Sequence, residues 1–242
     1  AQRVAQQNSP AAPPPSSQPS GTSSAPPVLR PPGTTPQTLT NSIGMEFVLI
    51  PAGEFPMGSN QKDNEKPVHT VRISQPFYLG KYEVTQRQWQ AVMNTNPSQY
   101  EGETRPVENV SWKEAQEFIR WLNSKEGGTK YRLPTEAEWE YTARGPEGRI
   151  YPWGNQWDPT RLNFCDFNCE FTWRNAGAND GYATTAPVGS FPGGISPFGV
   201  HDMAGNVWEW VQDWYSEDTY KDSAGTIAID PTGPAIGSHR GV

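Results

Sequence analysis

After Arg144 the chain runs for about 60 residues with almost no helical or strand periodicity, yet it is dense in Gly, Pro, Asn, Asp and Trp. A stretch that long, inside a chain that also holds ten Trp, cannot be a floating linker. Its rings must find cover, so it folds over itself as ordered loop. The domain therefore has to be a mixed one, low in regular secondary structure. The regular elements lie before it. Ile43 to Ile50 reads as a strand closed by Pro51, Gly53 to Gly58 as a short extended piece, and His69 to Ile73 and Phe77 to Val84 as two further strands. Three helices begin at Ser/Thr followed three residues later by Glu or Gln: Gln86 to Asn94 after Thr85, Trp112 to Lys125 after Ser111, and Glu136 to Arg144 after Thr135. Strand signals return at Trp208 to Val211.

The first forty residues are a different material. They hold 10 of the 25 Pro, neither Asp nor Glu, and no aromatic residue. Such a segment cannot bury enough apolar area to offset the entropy of ordering it. It is expected to be a disordered, Pro/Ser/Thr-rich tether over residues 1–40, leaving a domain over residues 41–242. Without the tether's Arg3 and Arg30 the domain carries 17 basic and 26 acidic residues, net −9, against −7 for the whole chain. That balance argues against a nucleic-acid partner, which needs a basic face. No apolar run approaches ~18 residues, so no transmembrane helix is expected. The chain opens on Ala1 and reads as a processed chain or a fragment.

Several segments, in order, resemble one family. They include Asn41-Ser42-Ile43-Gly44-Met45-Glu46-Phe47, Gly53-Glu54-Phe55-Pro56-Met57-Gly58-Ser59, Tyr82-Glu83-Val84-Thr85 and Arg105-Pro106-Val107-Glu108-Asn109-Val110-Ser111-Trp112. Tyr131 to Glu140, Tyr151-Pro152-Trp153-Gly154-Asn155, Thr185 to Gly189 and Met203 to Trp210 follow. Together they look like the formylglycine-generating enzyme (sulfatase-modifying factor) domain. The resemblance implies an α+β, elaborated C-type-lectin-like fold with low regular secondary structure. It also implies oxygen- and copper-dependent oxidation of a sulfatase cysteine to formylglycine, with copper on two Cys late in the domain. The family pattern runs on past Arg240, and no Cys lies in that region here. The chain thus reads as a domain cut short at its C-terminus, part of a longer multidomain protein and inactive as an oxidase unless a further segment supplies the Cys ligands. In that fold the first strand pairs with the last, so the Ile43 to Ile50 strand is expected to present an unpaired edge. The alternative is a non-catalytic recognition module for a protein or peptide ligand, carried on a tether.

The resemblance also implies two structural calcium sites. The first is Asn163, the Phe164 carbonyl, Asp180 and the Tyr182 carbonyl. The second is Asp202, the Gly205 and Val207 carbonyls and Glu209. Irregular loops with spare carbonyls and carboxylates suit a cation that takes six to eight hard oxygens; the bland reading is that the acids cap turns. The only cysteines, Cys165 and Cys169, could close a small disulfide, stay reduced or bind a metal. A zinc site would need two more soft ligands, and the three His are scattered, so the disulfide is preferred. With the tether it favours an extracytoplasmic place, although a cytoplasmic multidomain protein can carry such a tether too. Trp208 and Trp210 alternate with Glu209; by resemblance Trp208 lies near the active site, and core packing is the competing reading. His201 is expected on a surface or loop. Glu136, Glu138 and Glu140 are splayed around their helix, which disfavours paired-carboxylate catalysis.

Overall fold

A computed structural model describes Arg3, Ala5–Gln7, residues 37–221 and residues 225–242. Two sheets carry the domain. The larger has five strands in the order β2 (Thr38–Thr40), β3 (Glu46–Ile50), β6 (Phe77–Gly80), β1 (Ala5–Gln7), β7 (Tyr131–Arg132), all antiparallel. The smaller has the order β4 (Gly53–Met57), β5 (His69–Ile73), β8 (Ala228–Ile229), with β5 and β8 parallel. The helices are α1 (Gln86–Met93), α2 (Trp112–Glu126) and α3 (Glu136–Arg144).

At β3 and β6 the large sheet is covered on both faces, which is why these two strands read as nearly continuous apolar runs. Successive side chains point to opposite faces. In β3, Phe47 joins the core under α1 and α2, with Trp89, Phe118 and Leu122, whereas Val48 and Ile50 join the core that includes Phe55, Val71, Leu79 and Tyr141. Each helix starts on a closed capping box: Thr85 with Gln88, Ser111 with Glu114, Thr135 with Glu138. Helix α1 stops at Met93 because Asn94 turns left-handed, at φ 57°. Apart from β8 and a 3-10 turn at Pro192–Gly194, the described polypeptide from Arg144 onward is built from turns, bends and single bridges, as its composition requires. No described helix is long and apolar enough to cross a membrane.

Four expectations differ from the structure. Parts of the tether are in the sheet: β1 lies between β6 and β7, with Ala5 opposite Leu79 and Arg132, and β2 lies against β3; residues 8–36 lie outside the described residues. The first strand is consequently no open edge, because β2 covers β3 on one side and β6 on the other. The strand expected over Phe77 to Val84 stops at Gly80. Trp208 to Val211 forms no strand, since the neighbouring backbone groups are spent on loops: Val211 N–H donates to Gly241 O and Gln212 N–H to Pro134 O.

Ala5 is completely buried. Placing a carboxylate there without a partner is costly. Ala5→Asp is expected to lower stability by on the order of 2–4 kcal/mol, measured by denaturant unfolding of the full chain. An unchanged midpoint would remove β1 from the sheet.

Candidate functional site

A deep cleft has a volume of about 1130 Å³. Helix α3 lines one wall with Glu136, Trp139 and Glu140, and the loop from Asp202 to Val211 forms another. Aromatic rings stand at its lip. Trp208 is 80% exposed, Trp173 72% and Phe171 60%, and the last two stack with centroids 5.3 Å apart. Trp208 is therefore a lip residue of the cleft, not part of the core. Trp210, beside it, is half-buried and donates its indole N–H to Val110 O at 2.8 Å.

Behind the lip the wall is held by one buried ion pair. The Arg3 side chain is fully enclosed. Its Nε donates to Glu209 Oε2 at 2.9 Å and its Nη2 to Glu209 Oε1 at 2.8 Å. The same guanidinium donates to Gly80 O at 2.8 Å and His201 O at 2.9 Å. Trp139 Nε1 donates to Glu209 Oε2 at 2.9 Å, linking α3 to the pair. Burial opposes the charge on Arg3, and Glu209 beside it outweighs burial, so the guanidinium is held firmly protonated.

Two further carboxylates share this interior. Glu83 is buried, and its Oε2 accepts from Asn206 Nδ2 at 2.8 Å, while its Oε1 has no hydrogen-bond partner among the described residues. Burial first, then the charges of Asp202 and Glu209, raises its carboxyl well above the usual range. Asp202, held left-handed at φ 54°, accepts Gly189 N–H at 2.6 Å, and burial raises its carboxyl too. Neither Arg3 nor Glu83 carried a functional reading in the sequence. Arg3 stood in an acid-free segment, and Glu83 is one acid in a chain of many; the only signal was its place in Tyr82-Glu83-Val84-Thr85. His201 is buried rather than on the surface. Its ring lies 4.9 Å from that of Tyr82, and burial pulls its pKa down to about 4.

The first expected cation set is brought together. Asp180 accepts Phe164 N–H at 2.9 Å and Tyr182 N–H at 2.8 Å, and Asn163, next in the chain to Phe164, donates to Thr184 O at 2.7 Å. Asp166, fully buried, accepts the amide N–H of both Asn168 and Asp180. Among the described residues neither acid is in an ion pair, and burial raises the Asp180 carboxyl. Each acid accepts the amide N–H two residues on, Asp166 from Asn168 and Asp180 from Tyr182, which is the turn-capping arrangement. No described cluster of three or more His, Cys, Asp and Glu side chains is arranged around a metal position, so most ligands would have to be carbonyls or amide oxygens. The second set stands close to the first, because Gly205 packs on Asn163: a Cβ on Gly205 would lie 2.2 Å from Asn163 O, and its φ is +88°. In the second set both oxygens of Glu209 are already engaged by Arg3.

Cys165 and Cys169 are joined in a disulfide, with Cα atoms 5.1 Å apart. The chain holds no other cysteine. Copper held by two thiolates does not fit the residues of this chain. Of the three acids of α3, Glu138 turns away to pair with Arg132 at 2.6 Å, whereas Glu136 and Glu140, one turn apart, both line the cleft instead of splaying: Glu140 pairs with Arg144, and Glu136 accepts from the Tyr220 hydroxyl at 3.0 Å.

A covered five-stranded sheet, a smaller sheet with one exposed face, three short helices, a long aromatic loop and a cleft at that loop's edge define the sulfatase-modifying-factor class of fold. The chain matches the family described as "Sulfatase-modifying factor enzyme 1-like domain" over residues 33–236, and it belongs to that family. It is 31% identical to the formylglycine-generating enzyme of Thermomonospora curvata, over 85% of this chain and 83% of that protein. It is 31% identical to the chaperone protein LppX of Paenibacillus barcinonensis, over 76% and 79%. It is 35% identical to the serine/threonine-protein kinase pkn1 of Chlamydia pneumoniae, where the match covers 81% of this chain and 32% of the kinase. The domain thus also occurs inside larger proteins. Among solved structures, Treponema denticola variable protein 1 superposes with TM-score 0.67 at 28% identity, covering 85% of this chain and 86% of that one. PvdO from Pseudomonas aeruginosa superposes with TM-score 0.64 at 26% identity, covering 86% and 96%.

Glu136 in the cleft wall, and Asp213 behind it, which accepts the Glu136 backbone N–H at 2.9 Å, give the fold a pH dependence. Burial pushes their carboxyls up to about 7 and about 6 respectively. A carboxyl raised in the folded state binds its proton more tightly there. Its contribution to stability is complete below the unfolded pKa and is lost as pH rises through the folded one. The melting temperature of Glu136→Gln is therefore expected to gain on that of the wild type between about pH 4.5 and 7.5. A constant difference across that range would contradict the buried, raised Glu136.

Proposed function

We propose that this domain is a recognition module of the formylglycine-generating type, which binds an extended, basic peptide in its cleft and does not itself oxidise a cysteine. The cleft carries the reading: exposed Trp208, Trp173 and Phe171 at its lip stand over a wall containing Glu136, Glu140 and Asp202. Flat rings supply contact area at low entropic cost, and an acidic wall suits a basic side chain. The net charge of −9 over residues 41–242 favours a basic partner in the same sense. The relatives named as a chaperone and as kinases support a role other than oxidation. The relatives named formylglycine-generating enzymes support a cysteine-containing peptide as the ligand class.

Oxidation would need copper ligands from outside residues 1–242, because both sulfurs here are in one disulfide. That disulfide supports an oxidising, extracytoplasmic setting. We further propose a structural calcium ion on Asn163, Asp180 and the carbonyls of Phe164 and Tyr182. Its part is to neutralise Asp180 and Asp166 and so brace the loop that carries Phe171 and Trp173.

Titration with a Cys-x-Pro-x-Arg peptide is expected to give a saturable change in tryptophan emission. Trp208→Ala should weaken binding by on the order of tenfold, with no aldehyde formed in the presence of copper and oxygen. Absence of saturable binding would remove the recognition reading, and aldehyde formation would replace it with the oxidase. Chelation should lower the melting temperature of the wild type but not of Asp180→Asn; an equal response in both would remove calcium from the first set.

A further inference from the structure

Strand β1 fills a slot in the sheet, and the chain connection does not oblige it to fill its own. We propose that the space between β6 and β7 is a strand-accepting site that reads Arg-x-Ala, and that its second occupant is residues 1–7 of another copy of this chain, giving a strand-exchanged dimer. The inference does not rest on the peptide reading of the aromatic cleft.

Three observations carry it. First, the sheet is incomplete without an inserted strand. Strand β6 pairs with β3 on one side and β1 on the other, and β7 pairs with β1 alone. With β1 removed, β6 presents a bare edge, β7 has no partner in the sheet, and Glu209, its side chain 2% exposed, loses its guanidinium. Bare edges and stranded charges both favour capture of another extended segment. Second, the slot reads side chains. At position 3 a guanidinium donates to Glu209 through Nε and Nη2, and to Gly80 O and His201 O. At position 5 a methyl group is completely enclosed, where a larger side chain would overpack the core. Backbone pairing gives such a site its affinity, and the side-chain pockets give its selectivity. Third, the connection permits another donor. Strands β1 and β2 are joined by residues 8–37, thirty residues, which at full extension reach about 100 Å. Gln7 and Thr38 stand only three strand positions apart in the sheet, about 15 Å. The slot of a second copy is therefore within reach of β1. Charge favours the same exchange, since residues 1–40 hold Arg3 and Arg30 and no acid, while residues 41–242 carry net −9. A connection of this length gives the chain's own strand an effective concentration on the order of millimolar. Wild-type copies therefore exchange only as the protein approaches that concentration, whereas a strand barred from its own slot exchanges at far lower ones.

Two full-length variants form the test. Ala5→Asp spoils the strand and keeps the slot; Glu209→Lys keeps the strand and repels Arg3 from its own slot. Each alone is expected to sediment as a monomer at micromolar concentration, and an equimolar mixture as a dimer. A labelled peptide of residues 1–7 is a second probe that needs only the first variant. It should bind Ala5→Asp saturably and raise its unfolding midpoint, and bind the wild type, whose slot is filled, on the order of tenfold more weakly. Carrying Arg3→Gln, the peptide should also lose on the order of tenfold in affinity. An excess of the Cys-x-Pro-x-Arg peptide should not displace it, which separates this slot from the cleft. If Ala5→Asp is unfolded alone, the peptide should restore its circular dichroism; if Glu209→Lys does not fold, the peptide decides. A monomeric mixture of two folded variants overturns the proposal. So does a peptide that neither binds nor restores Ala5→Asp, that binds equally well with Arg3→Gln, or that the cleft peptide displaces.

Discussion

The site depends on the buried pair of Arg3 and Glu209. It joins four pieces of chain that are far apart in sequence: β1 through Arg3, β6 through Gly80 O, the 201–209 loop through His201 O and Glu209, and α3 through Trp139. A buried ion pair adds little to stability compared with an apolar replacement, but breaking one costs about 3–5 kcal/mol, because the remaining charge is stranded. Its value here is geometric. The guanidinium has one way to satisfy Glu209 and two carbonyls at once, and that arrangement fixes where the cleft wall stands relative to the sheet.

The rest of the cleft is hung on this frame by local devices. Asn206 donates to Glu83 and to Ala186 O and accepts Ala186 N–H, which ties the 202–211 loop to the segment before Gly189. Asp166 and Asp180 gather backbone amides in the loop stapled by Cys165 and Cys169. Little of this depends on regular secondary structure. Loop geometry held by side chains acting on backbone is what lets the family fold present exposed rings over an acidic wall.

Much of the framework is legible from sequence, and for local reasons. Helix α3 runs from Glu136 to Arg144 as its capping box implies, and β5 occupies His69–Ile73, whose burial alternates residue by residue. The disulfide is the preferred of three readings of the cysteine pair, whereas the exposure of Trp208 is not set by its motif, which serves core packing equally well. What was not legible is long-range. Strand β1 is three residues in an acid-free, ring-free segment, and only its tertiary partners, 70 or more residues away, make it a strand. The Arg3 and Glu209 side chains are 206 residues apart in sequence, so no window contains both. Trp208 to Val211 alternates as a strand should, and yet is loop, because its backbone partners come from elsewhere. His201 is buried for the same reason: its surroundings, Tyr82 and Lys81, come from the end of β6.

Amide hydrogen exchange along the N-terminal residues of the full chain tests the central claim most directly. If Arg3 and β1 are built into the sheet, the amides of Ala5–Gln7 will be protected to the level of Leu79 in β6. Exchange of those amides at the rate of an unstructured peptide, with β6 still protected, would contradict it.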